Sequence, residues 1–176
     1  MGFLTLGGTT LHSSSDGIWV APHARNIGYV PQHYALFPHL TVSENVAFGV
    51  SGDSKDERDR ITETALETFR ISDVADRLPR SLSGGQQQRV ALGRALAAEP
   101  RALLLDEPLA ALDHPLRREL RRELNEIKER THIPIVLVTH DFSDAIDMAD
   151  VAILLENGHV VDEGRPSDVI HRPPRR

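Results

Sequence analysis

The chain has 176 residues, 40% of them hydrophobic, and a formal net charge of -6, which fits one soluble globular domain of ordinary size. The absence of cysteine excludes disulfides, thiolate nucleophiles and Cys-based metal sites. The acidic balance and the lack of a basic block argue against a nucleic-acid partner. No apolar run approaches the ~18 residues that a membrane span requires.

The first part of the chain is predicted to be rich in β-structure. Residues 1–35 contain short apolar runs between turn residues, and the strand candidate Ile27–Val30 stops at Pro31. From about residue 40 to residue 82 the apolar residues recur at helical spacing. We therefore expect a β-rich part over 1–35 and an inserted helical subdomain over about 40–82.

After residue 83 the pattern alternates between helices and short apolar runs. Such alternation is typical of βαβ units around a buried parallel sheet. The three predicted buried strands are Ala102–Asp106, Ile135–Thr139 and Val151–Leu155. An Asn157-Gly158 turn predicts that the sheet finishes in a small antiparallel ribbon. The predicted fold is α/β with a mostly parallel sheet, flanking helices and a partial antiparallel β subdomain, and residues 83–176 form its main core.

The helix between the first two of these strands is predicted to begin after Asp113, with Pro115 in its first turn. Its basic and acidic residues alternate, which favours a solvated face. The residues of this predicted solvated face are Arg117, Arg118, Glu119, Arg121, Arg122 and Glu123.

An acidic pair, Asp106 and Glu107, ends the strand candidate Ala102–Asp106. Ligands of open α/β sheets bind at this edge, where one carboxylate can hold Mg²⁺ and the other can orient and deprotonate a water. The plainer alternative is that both are solvated turn residues.

A second chemical motif, Ser83-Gly84-Gly85-Gln86, precedes a helical run. Ser83 can cap that helix, and the two glycines let backbone N–H groups approach a phosphate at its positive end. A simple N-cap with a flexible entry is the alternative.

Four motifs in this order resemble the nucleotide-binding subunit of ATP-binding cassette (ABC) transporters, which has a P-loop NTPase-like fold. The motifs are Leu82–Gln86, Leu103–Pro108, Ala111–Asp113 and Val138–Asp141. Each motif alone is weak to moderate, but their order and spacing are specific, and the resemblance extends from about Arg25 to Pro173.

The resemblance implies an ATPase with ATP and Mg²⁺ as its ligands. Asp106 and Gln32 match the residues that contact Mg²⁺, and Gln32 also touches the attacking water. Glu107 matches the catalytic base, and His140 matches the switch histidine at the γ-phosphate. The residues that match nucleotide-binding positions are Ser83, Gly84, Gly85, Gln86 and Asp113, and the first four bind the phosphate held by the opposite subunit.

The family also implies partners: a second nucleotide-binding subunit, transmembrane permease subunits and, indirectly, a solute-binding protein. The chain would lie in the cytoplasm, on the inner face of the membrane. The apolar segment Leu36–Val42 follows Gln32 and is a candidate to receive a permease helix. The residues of these motifs resemble those of importer subunits for oxyanions, and we expect molybdate as the substrate.

One family motif is missing from the sequence. Gly-x-x-x-x-Gly-Lys-[Ser/Thr], whose backbone and Lys hold the phosphates, does not occur, and the only lysines are Lys55 and Lys128. We expect an N-terminally truncated subunit, inactive alone, with exposed apolar surface where a strand and helix should pack. A degenerate partner that lends its signature motif to an intact subunit is the alternative. Repair-type ABC ATPases insert a long coiled coil between Gln32 and Ser83, and none is found here.

Overall fold

The computed structural model describes residues 2–110 and 112–171, without the side chain of His171. Ala111 of the Ala111–Asp113 motif and Pro173, the end of the resemblance, lie outside the described residues. The chain begins with an antiparallel sheet of three strands, β1 (Phe3–Leu6), β2 (Thr9–Ser13) and β3 (Ile18–Trp19), in that order. Gly7 and Gly8 make the turn between β1 and β2 with positive φ, a conformation that glycine adopts at little cost.

A parallel sheet forms the centre of the molecule. Its strands are β4 (Ile27–Val30), β5 (Ala102–Asp106) and β6 (Ile135–Val138), and β5 lies between the other two. The register pairs Val30 with Leu105 and Asp106 with Val138. All three carboxyl ends therefore reach the same edge of the sheet.

In the part of the chain that the structure describes, six α-helices surround or follow this sheet, and most begin after a residue that caps them. They are α1 (Val42–Ala47), α2 (Lys55–Thr68), α3 (Gly84–Ala97), α4 (His114–Thr131), α5 (Phe142–Met148) and α6 (Pro166–His171). Side chains of Thr41, Ser54, Ser83, Asp113 and Asp141 accept hydrogen bonds from the first turns of α1 to α5. None of the helices in the described part of the chain is both long and apolar enough to cross a membrane.

The region between β4 and α3 is helical and packs on α3. Both α1 and α2 contact α3. Asn45 of α1 is fully buried and anchors the preceding loop: its side chain accepts from the Phe37 amide at 2.8 Å and donates to the carbonyls of Phe37, Leu40 and Thr41. These bonds hold the predicted docking segment Leu36–Val42 in one conformation. The division of the chain into three parts stays a prediction.

The hydrophobic core joins the central sheet to α1, α3 and α4. Its fully buried members come from all of these elements, so the sheet and the helices share one core. They include Val30, Val42, Val46, Leu92, Leu103, Leu105, Leu120 and Leu124.

Two of the three predicted buried strands are less buried than expected. The run Val151–Leu155 corresponds to β7 (Ala152–Glu156). Among the strands of the described residues, β7 pairs only with β8 (His159–Gly164), in a separate antiparallel sheet, and Ile153 and Leu155 are exposed. Within the described residues, β6 has a neighbour on one side only, so Val136 and Val138 are also exposed. The truncation from which we expected exposed apolar surface stays a prediction.

The predicted solvated face of α4 is wrong at three residues. Arg117 and Arg121 are mostly buried in ion pairs with Asp141 and Asp144. Glu123 is also mostly buried, lies 3.1 Å from Arg89, and burial raises its pKa above the ordinary value. These side chains are buried because other helices contact α4. Helix α5 covers one side of α4, and Arg89 of α3 contacts another side. Arg118 and Arg122 are exposed, as predicted.

Candidate functional site

Three strand ends deliver the predicted catalytic residues to one place. Gln32 lies two residues beyond β4, Glu107 lies directly beyond β5, and His140 lies two residues beyond β6. Because these strands are parallel and in register, their following residues converge at the edge of the sheet where α/β proteins bind ligands.

Glu107 is the centre of this cluster. Its Oε1 lies 2.8 Å from Nδ1 of His140, and its Oε2 accepts a hydrogen bond from Nε2 of Gln32 at 3.5 Å. The side chain of Glu107 is 24% exposed and that of His140 is 71% exposed. The carboxylate is therefore held from two sides while remaining open to solvent, as a base that must reach a water requires.

The backbone of Glu107 adopts an uncommon conformation. Its φ is 46°, in the left-handed region, and its N–H donates to the carbonyl of Val138 at 2.9 Å. A non-glycine residue in this region costs roughly 1 kcal/mol or more, and such residues concentrate at functional sites. The bond to β6 maintains this turn, and the Glu107 carboxylate lies within hydrogen-bonding distance of His140.

Asp106 lies beside this cluster, with Tyr29 as its partner. The Tyr29 hydroxyl donates to Oδ2 of Asp106 at 3.4 Å. The sequence analysis assigned no function to Tyr29. Its position in β4, three residues before Gln32, could have indicated that it lies near the site.

The residues present fit a Mg²⁺ ion that is shared with a nucleotide. Asp106 and Gln32 offer carboxylate and amide oxygens, and Mg²⁺ in such sites takes one or two protein oxygens together with substrate phosphates. Among the described residues, no group of three or more acidic, His or Cys side chains forms a complete cage for a metal. The donor set therefore suits a metal that arrives with ATP.

The signature residues form the start of α3. Ser83 and Gln86 make a capping box: the Ser83 amide donates to the Gln86 side chain at 3.0 Å, and the Gln86 amide donates to Ser83 Oγ at 3.3 Å. No hydrogen bond in the described part of the chain connects this motif to Glu107. The structure thus assembles Gln32, Glu107 and His140 but leaves the signature residues apart from them.

The two glycines of the signature differ. A Cβ on Gly84 would meet nothing within 4 Å, whereas a Cβ on Gly85 would lie 2.4 Å from Cδ2 of Leu116. Gly85 thus leaves space for the Leu116 side chain in the first turn of α4, and the sequence alone did not indicate this reason.

Asp113 caps α4. Its Oδ1 accepts from the Leu116 amide at 3.0 Å, which satisfies one free N–H group of the first turn. The observed contact is structural, and a role of Asp113 at a nucleotide remains a prediction.

The loop that carries His140 is held by residues that sequence reasoning did not single out for this purpose. Asp141 accepts from the Ser143 hydroxyl at 2.6 Å, and this bond is the main cause that lowers the pKa of Asp141 below its usual value. The Asp141 amide donates to Thr139 Oγ1 at 3.0 Å, and Arg117 pairs with the Asp141 carboxylate. His140 therefore projects from a braced turn despite its exposed side chain.

Changing Gly85 to Ala should destabilise the protein by about 1–3 kcal/mol, because the added methyl group overlaps the Leu116 side chain and forces it out of its position. Gly84→Ala is the matched control, with an expected change within about 1 kcal/mol, since its Cβ enters open space. Urea unfolding followed by circular dichroism measures both. Equal losses for the two variants would contradict the packing explanation.

Comparison with known proteins places this geometry in a family. Residues 2–110 match the family described as ABC transporter. The chain is 44% identical over 172 residues to the sulfate/thiosulfate import ATP-binding protein CysA 2 of Agrobacterium fabrum, covering 95% of this chain and 50% of the relative. It is 49% identical over 152 residues to the probable sulfate/thiosulfate import ATP-binding protein CysA of Chlorella vulgaris, covering 85% of this chain and 64% of that protein. This chain thus spans about half to two thirds of these curated relatives.

Solved structures show the same fold. The ATP-binding cassette MJ0796, a dimer in a post-hydrolysis state bound to ADP and Pi, superposes with a TM-score of 0.77 at 31% identity, covering 94% of this chain and 74% of that chain. CbiO1 from Clostridium perfringens, part of an ABC transporter complex, gives a TM-score of 0.79 at 30% identity, covering 93% and 66%. The family match, the relatives and the fold agree, and the chain belongs to the ABC transporter family, with the fold of its ATP-binding domain.

Proposed function

We propose that this chain acts in the ATP-binding subunit of an ABC importer, where ATP hydrolysis powers uptake of a sulfate-class oxyanion. The observation that carries the proposal is the contact of Gln32 and His140 with both oxygens of Glu107 at the carboxyl edge of the sheet. This set of residues can position a water and accept its proton beside a phosphate.

Each residue of the site would have a separate role in ATP hydrolysis. Gln32 and Glu107 would orient a water, and Glu107 would accept its proton at a carboxylate oxygen as the water attacks the γ-phosphorus. The bond from the γ-phosphorus to the oxygen that bridges it to the β-phosphate would break, and ADP would leave with that oxygen. His140 would hold Glu107 in place through Nδ1 and would meet the phosphate with its other nitrogen. Asp106 and Gln32 would bind Mg²⁺, which supplies charge neutralisation at the phosphates when it is bound. Positioning and electrostatics suffice, since phosphoryl transfer needs no covalent intermediate here.

The signature residues would act on a second subunit. Ser83 and Gly84 lie at the N-terminus of a 14-residue helix, where backbone N–H groups and the helix dipole favour a phosphate. No described residue of the Glu107 cluster bonds to them, which supports a phosphate from an opposing subunit as their ligand, with Gln86 and Gly85 shaping the turn. Asp113, at the start of α4, would also contact the nucleotide of the opposing subunit.

A degenerate partner is the less favoured reading. A subunit that only lends its signature motif has no need for a hydrolytic cluster, yet Gln32, Glu107 and His140 are all of the catalytic type and lie in contact. The short segment between Gln32 and Ser83, occupied by α1 and α2, likewise gives no support to a repair-type ATPase.

The substrate assignment rests on the relatives. Those described above are named for sulfate/thiosulfate import, so sulfate is the proposed class, and the expectation of molybdate finds no support. Transmembrane permease subunits and a solute-binding protein would complete the importer and would hold the chain at the cytoplasmic face of the membrane.

The contact with a permease is proposed for the loop before α1. Phe37 packs against Phe48 with ring centroids 4.2 Å apart, and the Arg94 guanidinium lies 5.1 Å from the Phe37 ring centre. Phe48 is largely exposed. These aromatic side chains follow Gln32 closely in the sequence. A permease helix bound to them could therefore change the position of Gln32 in the catalytic cluster.

The function is tested by supplying the phosphate-binding segment that this sequence lacks. A chimera would place a segment with the Gly-x-x-x-x-Gly-Lys-[Ser/Thr] motif before Gly2 of this chain. We expect Mg²⁺-dependent ATPase activity that falls at least about 100-fold with Glu107→Gln, since a general base contributes roughly 10²–10⁴-fold. Expressed in a bacterium that lacks its own sulfate-import ATPase, the chimera should restore sulfate uptake.

Two results would reject parts of the proposal. A folded chimera that binds ATP but hydrolyses none would favour the degenerate partner. Restored molybdate uptake without sulfate uptake would reject the proposed substrate. Glu63→Gln, at an exposed residue of α2 that is far in sequence from both Gln32 and Ser83, serves as the control variant and should leave both activities unchanged.

A further inference from the structure

The chain turns sharply at Gln32. The Tyr34 amide donates to the Pro31 carbonyl at 2.8 Å, a bond that closes a turn with Gln32 and His33 as its two central residues. The Ala35 amide then donates to the His33 carbonyl at 2.6 Å. Gln32 thus lies inside a hydrogen-bonded turn, and the direction of its side chain depends on the conformation of that turn.

The two residues that follow His33 have an uncommon backbone conformation. The φ angle is 61° at Tyr34 and 44° at Ala35, and both lie in the left-handed region. Residues other than glycine stay in this region only when the surrounding structure holds them there, and they concentrate at functional sites and switch segments. A contact from outside the turn is therefore needed to maintain this conformation.

Arg94 of α3 supplies such a contact. Its Nη1 donates to the Ala35 carbonyl at 2.8 Å, and its Nη2 donates to the Tyr34 carbonyl at 2.9 Å. Successive carbonyls point the same way in a helical conformation of either hand and opposite ways in an extended one. The left-handed conformation therefore presents both carbonyls to one guanidinium, and these two charge-assisted bonds stabilise it in return.

The other contacts of Arg94 also lie in this loop. Its guanidinium is 5.1 Å from the ring centre of Phe37, close enough for a cation–π interaction, and the Phe37 amide is itself held by Asn45. No carboxylate of the described residues pairs with Arg94. Arg89 of the same helix differs, because it forms ion pairs with acidic residues of α4. The charge of Arg94 is thus directed at the loop after Gln32.

Helix α3 connects this loop to the signature residues. The helix begins at Gly84, directly after Ser83, and Arg94 lies near its other end. A continuous helix of 14 residues moves largely as one body, so a displacement of its first turn reaches Arg94. The turn that contains Gln32 is therefore attached to the element that carries the signature.

We propose that Arg94 is a positioning residue for Gln32. By holding Tyr34 and Ala35 on α3, it keeps the Gln32 side chain in contact with Glu107. This role rests on the proposed function, in which Gln32 orients the water and Glu107 accepts its proton. A movement of α3 would change the position of Gln32, so the hydrolytic cluster would respond to the ligand of the signature residues.

Hydrogen exchange of the purified 176-residue chain, followed by NMR, is the first test. In Arg94→Gln the amides of Tyr34 and Ala35 should exchange at least about tenfold faster than in the wild type, because the turn opens more often. Arg89→Gln is the matched control: it removes a guanidinium from the same helix and should leave these two rates within about twofold. No acceleration in Arg94→Gln, or an equal acceleration in the control, would overturn the proposal.

A conservative variant keeps this test informative. Arg94→Lys retains the charge but not the planar fork that reaches two carbonyls, so the two amides should exchange at an intermediate rate. Should Arg94→Gln fail to fold, the Arg94→Lys rates decide, and rates equal to those of the wild type would then reject the role of Arg94.

The Gln32 side chain provides a second readout, which a purely structural role of Arg94 would not affect. Replacing Glu107 with Ala removes the acceptor of the Gln32 Nε2 bond and should shift the Nε2 resonance. In the Arg94→Gln background this shift should fall by at least about half, because Gln32 has already left Glu107. An equal shift in both backgrounds would reject the positioning role.

Neither measurement requires ATP. A chimera that hydrolyses no ATP would therefore reject the proposed function, while the exchange rates and the Nε2 shift would still decide whether Arg94 positions Gln32.

Discussion

The purified 176-residue chain should hydrolyse ATP no faster than the buffer control, with a turnover below about 0.01 per second against a median near 10 per second for enzymes. The sequence has no Gly-x-x-x-x-Gly-Lys-[Ser/Thr] loop, and neither Lys55 nor Lys128 follows a glycine or precedes Ser or Thr. Glu107 can accept a proton, but the loop whose backbone and lysine would hold the β- and γ-phosphates beside it does not occur in the sequence. Catalysis by positioning fails when the phosphate is not held.

A phosphate-release assay with Mg²⁺ and ATP measures this result. Glu107→Gln is the necessary companion, because an ATPase contaminant would persist in that variant. A steady wild-type turnover that disappears in Glu107→Gln would contradict the prediction and would show that another part of this chain holds the phosphates. Circular dichroism of both proteins confirms that the comparison concerns folded chains.

Replacing Arg121 with Leu should cost about 3–5 kcal/mol of unfolding free energy, because it leaves the buried Asp144 carboxylate without its cation. Arg121 donates to Asp144 at 2.6 Å, to Asp147 at 2.8 Å and to Ser143 at 2.8 Å, and its side chain is only 13% exposed. Thr139 would be the remaining described partner of Asp144. The turn that carries His140 should loosen as well, since Asp144 and Thr139 lie on both sides of it.

The neighbouring arginine provides the control. Arg122→Leu makes the same chemical change on the exposed side of α4 and should alter stability by no more than about 0.5 kcal/mol. Urea unfolding gives both values, and hydrogen exchange of the α5 amides reports the loosening near His140. Similar losses in the two variants would show that the pair between Arg121 and Asp144 does not stabilise the fold.

Much of the fold was predictable from local patterns. The strand Ala102–Asp106, the helix capped by Asp113 and the turn at Asn157-Gly158 depend on periodicity, capping and turn chemistry that a short segment contains. The placement of β7 was not predictable in this way. An apolar run such as Ala152–Glu156 has the same composition in a buried sheet and in an exposed ribbon, and only its partners differ.

In the candidate site, too, some residues could be identified from the sequence and others only from the structure. Glu107 and His140 were identified from motif type and order, and the parallel register then brought the two side chains to 2.8 Å. The role of Tyr29 beside Asp106 and the steric need for Gly85 against Leu116 were missed. Both depend on contacts between segments distant in the sequence. The functional roles of all these residues remain predictions until nucleotide binding is measured.

The sequence by itself determined the family motifs, their order along an α/β fold, and the lack of a lysine suited to bind phosphate. The tertiary structure alone decided that Arg121 is buried while Arg122 is exposed, and that Arg94 reaches the turn after β4. The physical reason is that residue type and spacing set local conformation, whereas burial depends on which distant element packs against each face. For Arg121 that element is α5, and for Arg94 it is the turn after β4.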